Sequence, residues 1–305
     1  MAISAPESPD AEFLQLLQQL YAGQSLTCGP DSSRWEQEAR RWGIPLVAHS
    51  GFWRLEHPER RWERLPLVKA LGFKKEEIAI WSLCDSTNTR LLDDGGLRLG
   101  LAEAQWSGHG RRGRAWHSSF GKHLYGSMAI EISAGHAPLL PLVAGLGIYE
   151  ILRQMVPALW LKWPNDLWIG ERKVAGLLLE GRHGRSGQRW VLGLGINVLA
   201  DPALPAATIS LAEAGYTNSR EDLLLAILRQ WRQDLPLLQQ QGFAPFRSRW
   251  QQADRLCGHW VELEMTGEIS RWRVLDVHDD GALLVETGTQ QKTIHAGEIR
   301  LRPWS

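Results

Sequence analysis

Apolar residues recur at helical spacing twice near the start of the chain, in FLQLLQQLY (13–21) and SSRWEQEARRWG (32–43). Ser32 or Ser33 is the expected N-cap of the second helix and Gly43 its stop. IPLVAHSGFWRL (44–55) then reads as a hairpin turning at His49-Ser50-Gly51. Two helices and a hairpin make a small N-terminal unit over residues 1–66. Its last segment, EHPERRWERLP (56–66), is charged and bounded by prolines, and reads as a linker.

A second pattern occupies residues 67–255. IAIWSL (78–83), LGLAEA (99–104), HLYGSMAIEI (123–132), LWLKW (159–163), VAGLLLE (174–180) and WVLGLGI (190–196) read as strands. Long helices fit LLPLVAGLGIYEILRQMV (139–156) and REDLLLAILRQWRQDL (220–235). Ser219 and Asp222 start the second helix in capping-box fashion, and Pro236 is expected to kink or end it. Strands outnumber helices without alternating with them. That predicts an α+β domain, a central mixed sheet with helices on one face. Over residues 256–305 the helical period vanishes. HWVELEM, ISRWRVLDV, GALLVET and QKTIHAGEIRL are short strands between Gly- and Asp-bearing turns, a small β-barrel.

Charge narrows the function. Lys plus Arg and Asp plus Glu balance at 34 each in 305 residues, which argues against a general nucleic-acid or membrane-surface binder. Any anion-binding task is therefore local. Cys28, Cys84 and Cys257 lie far apart with no CxxC spacing, so they read as thiols in a reducing compartment rather than as zinc ligands or disulfides. MAISAPESPDAEF lacks the basic and apolar regions of a secretory signal, and no apolar run reaches transmembrane length. The expected setting is the cytoplasm, without a membrane partner.

The densest positive stretch is GHGRRGRAW (108–116). Its glycines let the backbone wrap a ligand closely, and Arg111, Arg112 and Arg114 offer planar forks for phosphate or carboxylate oxygens. No Gly-Lys-Ser/Thr follows, so it is not a P-loop. The plain alternative is a solvated basic loop. In LKWPNDLW (161–168) a strand ends in Lys162 and a turn follows at Pro164-Asn165-Asp166. Lys162 can present a fixed ammonium there. Asp166 can hold a metal ion or orient the lysine, or with Asn165 merely close the turn. Lys173 begins a strand in ERKVAGLLLE (171–180), where Gly176 permits close approach. Ser86, Thr87 and Asn88 in LCDSTNTRLL (83–92) are good N-caps that could equally address a small polar ligand. GLGINV (193–198) adds two glycines and Asn197.

DSTN (85–88), GHGRRGRAW, KWPND (162–166), RKVAG (172–176) and GLGIN (193–197), in that order and followed by a small β tail, resemble the biotin protein ligases over residues 67–305. The resemblance implies a fold with an SH3-like C-terminal barrel and a two-step reaction. Biotin and Mg·ATP give biotinyl-5′-AMP and pyrophosphate. A lysine of the biotin carboxyl carrier protein of acetyl-CoA carboxylase then takes the biotinyl group. By the same resemblance, Ser86, Thr87, Asn88 and Gln105 meet the ureido head of biotin, and His109 and Gly110 flank it. Arg111 bridges biotin and the adenylate phosphate, while Arg112 and Arg114 help close the loop. Lys173 approaches the biotin carboxyl group and Lys162 neutralises phosphate charge. Asn165 and Asn197 meet the nucleotide, Asp166 lies near Mg²⁺ and Trp116 covers the pocket. Arg111, Lys162 and Lys173 are the catalytic set. Members of the family often dimerise edge to edge through the central sheet.

Two departures stand out. His109 occupies a place where the family commonly has arginine or lysine, which implies a looser hold on the adenylate or a pH dependence near the ordinary histidine pKa of about 6.5. Bifunctional members also carry a winged helix-turn-helix and repress biotin-synthesis genes. Here only AGQSLTCGPD (22–31) separates the first two helices, leaving no room for another, so the unit reads as a shortened winged-helix-like remnant. The leading expectation is an enzyme alone. The alternatives are a ligase that is also a DNA-binding repressor, and a lipoate or octanoate ligase or transferase. The arginine-rich loop speaks against the last.

Overall fold

The computed structural model describes residues 8–56, 61–184, 187–265 and 268–295. In the N-terminal unit, α1 (Ala11–Tyr21) is capped by Asp10, whose carboxylate accepts from the amides of Glu12 and Phe13. A two-residue strand β1 (Leu26–Thr27) precedes α2 (Ser32–Arg41), and β2 (Leu46–His49) and β3 (Phe52–Leu55) form the hairpin. Its turn places Ser50 at φ 50° and Gly51 at φ 79°, the paired positive angles of a two-residue type I′ connection. The three strands pair in the order β1-β3-β2, and no helix lies between α1 and α2. The N-cap of α2 is Asp31 rather than Ser32 or Ser33, because Ser32 donates its hydroxyl back to Gly29 O instead.

The N-terminal unit is packed hard onto the rest of the chain. Phe13, Leu17 and Trp53 share a core with Leu83 and Ala104, with Trp106 and Phe120 against it. Of the expected linker, residues 57–60 lie outside the described residues, but its second half is not a linker. Trp62 is buried in the main core, and α3 (Arg64–Leu71) starts two residues later. Arg61 donates to the carbonyls of Leu20 and Tyr21, and the Trp62 amide reaches the Tyr21 hydroxyl.

The central sheet contains β4 (Ile78–Trp81), β5 (Leu99–Ala102), β6 (Leu124–Ile130), β7 (Leu159–Lys162), β8 (Asp166–Ile169), β9 (Arg172–Gly184) and β10 (Gly187–Ile196), in the order β4-β5-β6-β10-β9-β8-β7. Only β4 and β5 run parallel, so the sheet is mixed. Helix α4 (Thr87–Asp93) follows β4, and α5 (Leu140–Leu152) and α6 (Arg220–Gln241) are the long helices. Ser219 caps α6 by accepting from the Asp222 amide. The helix does not end at Pro236 but runs on to Gln241 and stops at Gly242, φ 65°. Proline forfeits one main-chain bond there, while burial of Trp231 and Leu238 on either side keeps the helix in place.

Strand register explains how one sheet serves two purposes. Leu99, Met128, Leu192 and Leu179 are cross-strand neighbours facing one side, and Leu101, Leu194 and Leu177 face it too. Here Gly145 of α5 brings its helix within van der Waals reach of Leu161 and Leu177. One residue on, Gly100, Ser127 and Gly193 are neighbours facing the other side, with Ala102, Gly195 and Gly176 in the next row. That side carries short α4, whose Leu91 fills the space where a Gly100 side chain would lie.

After α6, α7 (Arg247–Ala253) leads to the C-terminal sheet of β11 (Trp260–Met265), β12 (Glu268–Val277), β13 (Leu283–Thr287) and β14 (Gln290–Ile294), antiparallel throughout. The part of the last predicted strand beyond residue 295 lies outside the described residues. The architecture is thus the expected α+β fold. Among the described residues no helix is long and apolar enough to cross a membrane.

Candidate active site

The small-residue face of the sheet floors a cavity of about 580 Å³, and every predicted site residue lines it. Three glycines make this possible. A Cβ on Gly193 would come within 2.4 Å of Asn88 Oδ1, one on Gly195 within 2.6 Å of the Trp116 ring, and one on Gly176 within 2.8 Å of Lys173 Nζ. The glycines of GLGIN and KVAG therefore admit these three side chains onto the strands.

At one end, α4 meets Gln105. The Thr87 amide donates to Gln105 Oε1 at 2.8 Å, with Thr87 Oγ1 at 3.2 Å, so the carboxamide oxygen is spoken for and Gln105 Nε2 remains the donor for a ligand. Ser86 stands at the N-cap position without a side-chain capping bond. Asn88 is 3% exposed and commits its amide inside the protein. Its nitrogen donates to Glu180 Oε2 (2.7 Å) and Leu178 O (3.3 Å), and its oxygen accepts from Ser127 (2.6 Å). Asn88 lines this end while holding α4 to β9 and β6.

Residues 108–116 fold back on themselves. The Gly110 amide donates to Arg114 O and the Trp116 amide to Gly108 O, each at 2.8 Å, with His109 and Ala115 bridged between them. At the tip, Arg112 (φ 63°) and Gly113 (φ 68°) both adopt left-handed backbone, an arrangement glycine accepts freely and arginine at some cost. His109 lies 3.4 Å from Glu180 Oε1 and 3.1 Å from Ser107 O. Arg111 turns inward to Asn165 Oδ1 at 3.4 Å, while Arg112 and Arg114 are exposed.

At the other end, Lys162 sits 4.0 Å over the Trp168 ring, and Lys173 pairs with Asp166 at 2.7 Å and lies 5.3 Å from the Trp116 ring. Asn165 Nδ2 donates to Leu177 O at 2.6 Å, and Asn197 Nδ2 to Ile209 O at 3.3 Å. Burial lowers the pKa of both Arg111 and Lys162, although Asp166 pulls the other way. Two cations stripped of water favour an incoming anion. Among the described residues no cluster of three His, Cys, Asp or Glu side chains is arranged to hold a metal ion.

Sequence reasoning missed His117, Trp168, Leu204, Pro205 and Thr208, all of which line the cavity. Trp168 closes the LKWPNDLW stretch and could have been picked up there. Thr208 arrives through a bridge to Lys173, a tertiary contact with no local signal.

A model of the biotin/lipoate A/B protein ligase family matches residues 82–197, and one of the biotin protein ligase C-terminal domain matches 256–302. The chain is similar to the bifunctional ligase/repressor BirA of Escherichia coli, 39% identical over 243 residues that cover 74% of each chain. It is also similar to the biotin–[acetyl-CoA-carboxylase] ligase of Paracoccus denitrificans, 31% identical, covering 65% of this chain and 88% of the relative. Biotin protein ligase from Aquifex aeolicus, solved with biotin and ATP, superposes with a TM-score of 0.64 at 27% identity, covering 75% of this chain and all of the other. The chain belongs to the biotin protein ligase family.

Proposed function

We propose that the enzyme joins biotin to ATP in this cavity and passes the biotinyl group to a lysine of a biotin carboxyl carrier protein in the cytoplasm. A biotin carboxylate oxygen attacks the α-phosphorus of ATP and pyrophosphate leaves; the acceptor amine then attacks the acyl carbon, losing a proton, and AMP leaves. The observation carrying this reading is the convergence of Arg111, Lys162 and Lys173 on one cavity whose far end holds Gln105, Thr87 and Ser86. Joining a carboxylate to a phosphate brings two anions together, and fixed cations out of water offset that repulsion.

The donor of Gln105 and the hydroxyl of Ser86 take the ureido head, beside His109 and Gly110. Arg111 and Lys173 reach the carboxylate, and Lys162 the phosphates. Asn165, Asn197 and Trp116 border the nucleotide. Arg112 and Arg114, exposed at the loop tip, close over the ligands and keep water from the mixed anhydride. Mg²⁺ held beside Asp166 would shield the phosphate charge of ATP. Asp166, the one carboxylate lining the cavity among the described residues, fits it, since Mg²⁺ commonly takes one carboxylate beside substrate phosphates.

Two observations on the described residues of the N-terminal unit speak against operator binding. Between α1 and α2 there is no helix to complete a helix-turn-helix. On α2, Arg34 is paired with Asp10 and Glu12, and Arg41 with Glu38, which removes charge that DNA phosphates would need. The decisive experiment offers labelled biotin or lipoate, with ATP and Mg²⁺, to a carboxyl carrier domain. Biotin transfer is expected, with Arg111→Ala slowing adenylate formation by about 10²–10³-fold. Preference for lipoate, or an unchanged Arg111→Ala rate, overturns the assignment.

A further inference from the structure

Beyond the cavity, one buried carboxylate gathers four hydrogen-bond donors. Asp201 follows β10 and its side chain is 1% exposed. Its Oδ1 accepts from Lys122 Nζ at 2.9 Å and from the Ala203 amide at 3.1 Å. Its Oδ2 accepts from the Ser119 hydroxyl and from His123 Nε2 at 3.3 Å, with His117 Nε2 3.6 Å away. The His123 tautomer follows from its other nitrogen. Nδ1 accepts from the Val198 amide at 3.1 Å, so the ring hydrogen is on Nε2, facing Asp201. A main-chain bond from Leu199 to Lys122 O runs alongside.

These partners fall into two groups. Ser119, Lys122 and His123 belong to the stretch that returns the arginine loop to β6, and His117 in it lines the cavity. Ala203 opens the stretch whose Leu204, Pro205 and Thr208 form part of the cavity wall. Asp201 itself, Ser119 and Lys122 do not line the cavity.

We propose that Asp201 is a positioning residue for adenylate formation, fixing the rear foot of the arginine loop and the nucleotide-end wall as one body. This rests on the ligase reading above. The front foot is held separately by main-chain bonds, Trp106 to Cys84 O and Ser107 to Asp85 O, so loss of Asp201 loosens the loop from one end only. Asp201→Asn keeps the shape but turns an NH₂ group toward the Ser119 and His123 donors and removes the charge facing Lys122.

The test is steady-state biotin-dependent ATP–pyrophosphate exchange together with the rate of adenylate loss from the enzyme. In Asp201→Asn the KM for ATP is expected to rise about tenfold, within the cost of a small misplacement at a reacting centre. The KM for biotin stays within about twofold, and bound adenylate is lost correspondingly faster. Ser119→Ala, which deletes one donor to Asp201 together with the 2.9 Å contact of Ser119 Oγ with His117 Nε2, covers the case in which Asp201→Asn does not fold, and moves the same quantities the same way by about threefold. A lower melting temperature with wild-type kinetics, or equal rises in both KM values, overturns the proposal and leaves Asp201 as scaffold. Failure of the wild-type protein to exchange with biotin removes the ligase reading and this inference together.

Discussion

On one face of the central sheet Leu99, Leu101, Leu192 and Leu194 bury themselves in the main core; on the other, the same strands offer Gly100, Ala102, Gly193 and Gly195. Alternate residues of a single strand thus answer to different demands. The leucine face needs volume, and its residues can be exchanged for others of similar size at little cost to ligand binding. The glycine face needs the lack of volume. Asn88, Trp116 and Lys173 lie where side chains would otherwise stand, so adding even a methyl group displaces a ligand-facing group.

One substitution on each face tests this contrast, and a pair of buried titratable groups supplies another, the largest effect first. Leu192→Ala, on the packed face, should cost about 3 kcal/mol of stability in denaturant titration, as large-to-small core changes do, while the KM for both substrates stays unchanged. An altered KM would mean that the faces are not independent.

Two buried titratable groups give a second contrast of similar size. Burial pushes His123, at the loop foot, down to about 4, against the attraction of Asp201. Burial raises Asp254, beside Leu161 of β7, to about 7. Between pH 4 and 6.5 the unfolded chain carries a proton on His123 that the native state refuses, so this group makes stability rise with pH by up to about 3 kcal/mol. Asp254 does the reverse, since the native state keeps a proton that the unfolded chain releases above about pH 4. His123→Gln should therefore tilt the stability profile downward with rising pH, and Asp254→Asn should tilt it upward. Identical slopes in the two variants would contradict this assignment.

The smallest change is Gly195→Ala. Trp116 stands on a loop and can swing aside, so stability should hold while the KM for ATP rises about tenfold, equivalent to about 1.4 kcal/mol. If melting temperature falls and the KM does not, the indole is packing rather than bordering the ligand.

Much of the cavity was legible in the sequence because its residues sit in short stretches with local signatures: arginines among glycines, a lysine before a Pro-Asn-Asp turn, glycines along a strand. The α+β class followed from strands that outnumber helices. Other features depended on contacts distant in the chain. Trp62 looked like part of a charged linker because nothing local announces its place in the core. Helix α6 crossed Pro236 because buried neighbours outweigh one missing hydrogen bond. Asp201 carries no local signature, since its side-chain partners Ser119, Lys122 and His123 lie some eighty positions away. Asn88 reads as a candidate ligand contact and lines the cavity, and its partners Glu180, Leu178 and Ser127, distant in the chain, show where its amide is spent.

Glu103, 1% exposed at the end of β5, accepts hydrogen bonds from Arg220 (2.9 Å), the Trp62 amide (3.2 Å) and the Tyr21 hydroxyl. Two of those three donors come from the part of the chain before the family-matched residues. Trimming the gene to a minimal catalytic fragment would therefore strand a negative charge deep in the protein with a single arginine for company, two residues ahead of Gln105. The boundary of a shortened enzyme is expected to lie upstream of α1, not at the first family-matched residue.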